Sequence, residues 1–77
     1  MPPNPQQAMM HALQFHQAGR LQEAVALYRQ ALAWAPNNAS VYSNLGAALR
    51  DLGQADEAIV ACRKAIALNP NMAEAFF

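Results

Sequence analysis

ASVYSNLGAALRDLGQADEAIVACRKAIALNPNM, residues 39–72, has its own pattern laid out once before it in the chain, displaced by 34 residues. The shift puts Gly19 on Gly53, Glu23 on Glu57, Ala24 on Ala58, Arg29 on Arg63, Ala31 on Ala65, Ala33 on Ala67, Pro36 on Pro70 and Asn37 on Asn71. Val25 with Ile59, Leu32 with Ile66 and Trp34 with Leu68 are conservative matches, and Phe76 falls on Tyr42. A fixed period of this length marks an array of supersecondary units, none of which can cover its apolar face alone.

Within each unit the apolar spacing predicts two amphipathic helices joined by a tight turn. Tyr42, Leu45, Gly46 and Leu49 recur at three- and four-residue intervals, which puts them on one helix face that must be covered. Asn38 is a candidate N-cap, and Gly53 supplies the left-handed geometry that stops the helix; Asn4, Pro5 and Gly19 do the same in the first unit. The second helices carry Ala24, Leu27, Tyr28, Ala31 and Leu32, or Ala58, Ala61, Cys62, Ala65 and Ile66. Pro36 and Pro70 close them, because proline disfavours helical geometry in the residue before it. The plan is a tail over 1–4, a first unit over 5–38 with helices at about 5–18 and 21–34, and a second over 39–72 with helices at about 39–52 and 55–68. Residues 73–77 would start a third unit or a capping helix. Ala12, Gly46 and Ala58 belong where helices cross closely, and Tyr28, Tyr42, Leu45 and Leu49 fill the volume beside them. His11 falls on a core slot and is expected as a partly buried packing residue.

Charge and composition narrow the function. The 77 residues hold five Lys+Arg and five Asp+Glu for a net charge of zero, with Arg20, Arg29, Arg50, Arg63 and Lys64 scattered. Affinity for nucleic acid comes from concentrated cations that release counterions, so neither nucleic acid nor an acidic membrane surface is expected as a partner. A chain this short buries only about 60% of its unfolded surface, which makes it marginal. The single cysteine, Cys62, cannot form an internal disulfide, and a cytoplasmic setting is expected. Met1-Pro2-Pro3-Asn4-Pro5 lacks the basic start and apolar run of a signal peptide, and no apolar stretch approaches the ~18 residues of a membrane span, so a soluble protein is expected.

Chemistry-bearing residues are sparse. His11 and His16, five apart, point to different sides of a helix, so no metal site is expected. Cys62 has no histidine near it in sequence and reads as packing rather than an activated thiolate. Glu23, Asp56 and Glu57 begin second helices, where negative charge suits the helix dipole. There is no glycine-rich phosphate loop, nucleophile elbow or zinc signature. Neither catalytic residues nor a cofactor is expected, and the chain does not read as an enzyme.

The order Tyr42-x-x-Leu45-Gly46-x-x-Leu49, then Ala58-x-x-x-Cys62, Ala65 and Pro70, resembles the tetratricopeptide repeat, with Cys62 where that family usually has an aromatic. Unit one departs at its start, with Ala8, His11, Ala12 and Phe15, and matches afterwards with Ala24-x-x-x-Tyr28, Ala31 and Pro36. The resemblance implies an all-α fold, an α-α superhelix, here a fragment of a right-handed helical solenoid. It further implies that the first helices of successive units line a concave groove for a guest peptide. Carried over residue by residue, the groove set is Ser40, Ser43, Asn44, Ala47, Arg50 and Asp51 with Gln6, Met9, Met10, Leu13, His16 and Gln17.

Asn44 stands where the family often places an asparagine that bonds the backbone of an extended peptide; an amide both donates and accepts, so it pairs with any peptide unit. It reads equally as an exposed polar residue or one that bonds a neighbouring unit. Its counterpart in unit one is Met10, and the lysine and further asparagine with which chaperone-tail-binding members hold a carboxylate are replaced by Met9 and Leu13. Met9, Met10 and Leu13 form either an adaptable apolar patch or cover for an absent neighbour.

The expected function is protein binding: an interaction module that takes a peptide or partner segment in the groove, as part of a larger repeat protein. The alternative is a scaffold that self-associates as a homo-oligomer through Ile59, Cys62, Ile66, Phe76 and Phe77, the apolar residues that an incomplete third unit leaves uncovered. A substrate-recognition arm of a glycosyltransferase-like enzyme and an RNA-binding helical repeat are further readings; balanced charge argues against the latter.

Overall fold

The structure is a computed structural model that describes residues 4–70, and these form four consecutive helices: α1 Pro5–Gln17, α2 Leu21–Trp34, α3 Ala39–Asp51 and α4 Ala55–Leu68. Among the described residues there is no strand. The chain is all-α, as its spacing predicts.

Each helix boundary has a local cause. The Asn4 side chain accepts the Gln7 N–H at 2.8 Å, and Pro5 opens α1 without an N–H to satisfy. Asn38 accepts the Val41 N–H at 3.2 Å and starts α3 in the same way. Gly19 and Gly53, at φ 81° and 87°, stop α1 and α3 in a conformation that side chains with a Cβ resist. The N–H groups of Gly19 and Arg20 return to the carbonyls of His16 and Phe15 at 3.1 and 2.8 Å. Those of Gly53 and Gln54 return to Arg50 and Leu49 at 3.0 and 2.8 Å, so one stop signal is used twice. Ala35 and Asn69, each before a proline, turn to ψ 75° and 92° and end α2 and α4.

Packing follows chain order. α1 lies on α2 and α3 on α4 most extensively, α2 and α3 join the two pairs, and α1 touches α3 lightly. The buried cluster runs through all four helices, and more than half of it is alanine. Small side chains allow close approach, which the structure uses most fully at Gly46. A Cβ there would sit 2.6 Å from Cys62 Sγ and 3.3 Å from the Ala58 carbonyl oxygen.

Tyr28 is the largest wholly buried side chain, with the His16 ring edge-on to it at 6.4 Å. Its hydroxyl is buried without a hydrogen-bond partner among the described residues, and burial pushes its pKa up. His11 is not the packing residue expected of it: it is exposed. The matching position of α3 is Leu45, which is buried because α2 precedes α3; no described helix precedes α1.

One polar tie spans the two helix pairs. His16 Nε2 on α1 meets Asp51 Oδ2 on α3 at 2.9 Å, while Arg50 reaches Asp51 Oδ1 at 3.3 Å. The His16 hydrogen bond and, next to it, Arg50 hold the Asp51 carboxyl below the usual carboxylate range, against a smaller opposing effect of burial.

Three outcomes follow from this packing. Gly46→Val costs about 1–3 kcal/mol in urea denaturation by overpacking the crossing, whereas Gly46→Ala costs less, and less again when combined with Cys62→Ala, which removes the 2.6 Å neighbour. Tyr28→Phe leaves the ring in place and removes an unpaired buried hydroxyl; stability is expected to rise by about 1 kcal/mol, and a fall would show that the hydroxyl has a partner. The third concerns pH. Because Asp51's carboxyl is depressed in the folded chain, its pairing stabilises above the ordinary carboxylate range and is lost as pH falls through the folded value. Asp51→Asn is therefore less stable than the parent near neutral pH, and the two melting curves converge as pH drops below about 4.

Candidate functional site

The expected groove residues do not all share one surface. Gln6, Met9 and Ser40 line a shallow hollow with Asn4, Pro5, Ala35 and Asn38 near the start of α1. Met9 and Leu13 are half-buried and pack on the core, Met10 is 57% exposed, and Gln17 is exposed at the end of α1. His16 and Asp51 are engaged with one another.

Ser43, Asn44, Ala47 and Arg50 come together elsewhere, along the side of α3 that faces α4. With Ile59, Cys62 and Ile66 of α4 they line an open hollow of about 710 Å³, floored by Gly46 and Ala58. Ile59 is 49% exposed, and Cys62 and Ile66 are half-buried. The two residue sets that sequence reading kept apart, groove and self-association, thus meet on one surface. Phe76 and Phe77 lie outside the described residues.

This hollow exists because of how α3 and α4 are held. Gly46 draws them together along one line, and their side chains diverge from it, Asn44 and Ala47 from one helix and Ile59 and Ile66 from the other. The walls are apolar towards α4 and polar towards α3. Asn44 is half-buried, and its amide makes no side-chain hydrogen bond to a described residue. Arg63, which sequence reading did not single out, lines the hollow with Arg50, and no carboxylate does. Its place was legible: Arg63 follows Ile59 by one helical turn, on the same face.

A second hollow, about 540 Å³, lies between α2 and α4 over Tyr42, Leu45 and Leu49. The Arg29–Glu57 ion pair at 3.6 Å crosses between its helices, and Lys64 and the exposed Val60 complete it. Among the described residues, no group of three or more histidine, cysteine or acidic side chains is placed to hold a metal.

The comparison with known families agrees with the helix geometry. A TPR repeat model matches residues 12–53, and a tetratricopeptide repeat model matches residues 39–72. No curated protein matches the chain. The matches run from within α1 to beyond α4 and take in both glycine stops, so the chain belongs to the tetratricopeptide repeat family.

Proposed function

We propose that this chain binds a partner polypeptide on the α3 wall, with Asn44 bonding the guest's backbone and the α4 side chains Ile59, Cys62 and Ile66 taking its apolar groups. Tetratricopeptide repeats are in general protein-interaction modules and typically carry no catalysis of their own, which supports binding as the output. The observation that carries the site is the half-buried, unpaired Asn44 amide at the edge of an open, largely apolar hollow. A buried amide without a partner is unfavourable, so a guest that supplies one is favoured there.

No described helix is long and apolar enough to cross a membrane. The lone Cys62 suits a reducing, cytoplasmic compartment. A self-associating scaffold would use the same hollow through Ile59, Cys62 and Ile66. Two copies meeting there would bring Arg50 and Arg63 of each chain together, and like charges in an interface are repelled. A distinct partner is therefore the better occupant.

Selection of ligands for the full chain from a displayed random-peptide library, followed by fluorescence anisotropy, tests the reading. Asn44→Ala is expected to weaken the selected peptides about 2- to 10-fold, the value of one net hydrogen bond. The same change at Gln22, exposed on α2, should leave them unaffected. Equal affinity for parent and Asn44→Ala removes Asn44 from the site.

A further inference from the structure

The chain contains a filled version of its own open hollow. Moving back 34 residues from Ser43, Ala47, Ile59, Cys62 and Ile66 gives Met9, Leu13, Val25, Tyr28 and Leu32. All five belong to the core cluster or pack against it, in the region where α3 lies across α2 and touches α1. α3 is thus the occupant of the first hollow, and its chemistry is visible. It presents Val41, Leu45, Ala48 and Leu52 at spacings of four, three and four residues, and it brings Asp51 to His16 at 2.9 Å.

In the second hollow, Arg50 stands where His16 stands in the first, and Arg63 adds a second cation without a carboxylate in the lining. We infer that the α3–α4 hollow seats an acidic amphipathic helix of a partner protein, in the register that α3 shows, with a carboxylate against Arg50. This rests on the interaction reading above and gives the guest a conformation, an apolar spacing and a charge.

The chain's own α1 is a poor occupant. At the positions matching Val41, Leu45, Ala48 and Leu52 it carries Gln7, His11, Gln14 and Ala18, all exposed. That face is finished for water, so copies do not stack head to tail through it.

The test uses the full, isotope-labelled chain and a synthetic peptide of residues 38–53, which holds the α3 pattern and Asp51. Saturable amide shifts are expected at Ala47, Ile59, Cys62, Arg63 and Ile66. Ile59→Asp in the chain, an exposed position, should weaken the peptide about tenfold or more with helicity by circular dichroism unchanged. Arg50→Glu should weaken it about two- to fivefold, and a peptide carrying lysine at the Asp51 position should recover the loss.

The inference is overturned by no shifts up to about 1 mM peptide, by shifts confined to α1 and α2, or by equal binding of a scrambled peptide. It is overturned as well if these amides shift with chain concentration alone, which makes a second copy the occupant. Tighter peptide binding after Phe76→Ser and Phe77→Ser would make the chain's own end the competitor and overturn it equally. Library peptides that still depend on Asn44 would, in any of these cases, leave the broader interaction reading standing.

Discussion

The burial of α3 on two sides is the constraint on which the molecule depends. Val41, Leu45, Gly46, Ala48 and Leu49 are buried along it, and it is packed against α2 before it and α4 after it. Without that helix the chain is two separate helix pairs, each with an uncovered face. A helix can serve two neighbours only if side chains at the crossing are small, because each added methylene widens the gap on one side. Gly46 meets that condition towards α4, and the alanines Ala12, Ala24 and Ala31 meet it within the first pair. The same economy explains why so alanine-rich a chain has a contiguous core.

Local signals in the sequence were sufficient for the fold. The Asn4 and Asn38 caps, the Gly19 and Gly53 stops and the residues before Pro36 and Pro70 act through bonds that span only a few residues, so their spacing alone predicts the helices. His11 was misread because its burial depends on what lies beyond α1, a fact absent from its own helix. The His16–Asp51 pair, 35 residues apart in sequence, depends on how one helix pair is set on the next and could not be read from either. The site was legible by residue but not by surface. Ser43, Asn44 and Ala47 lie on α3 towards α4, and only the line of the Gly46 crossing decides that they share a hollow with Ile59 and Ile66 rather than a wall with Met10 and Gln17.

The two helix pairs differ most at the positions that a covering helix would meet. The first sets Ala12 against Tyr28, a large ring wholly buried; the second sets Gly46 against Cys62, a much smaller pair left half open. Cys62 and Gly46 are coupled, since Sγ already lies where a Cβ on residue 46 would be. An aromatic at 62 would find its place under a neighbour, as Tyr28 does, and without one would expose a large apolar area. The small pair avoids that exposure and leaves volume in the hollow instead. Interiors pack to near-crystalline density, so any helix that covers this end has to bring the bulk that Tyr28 supplies in the first pair. Cys62 therefore shifts the shape requirement from the chain to its guest.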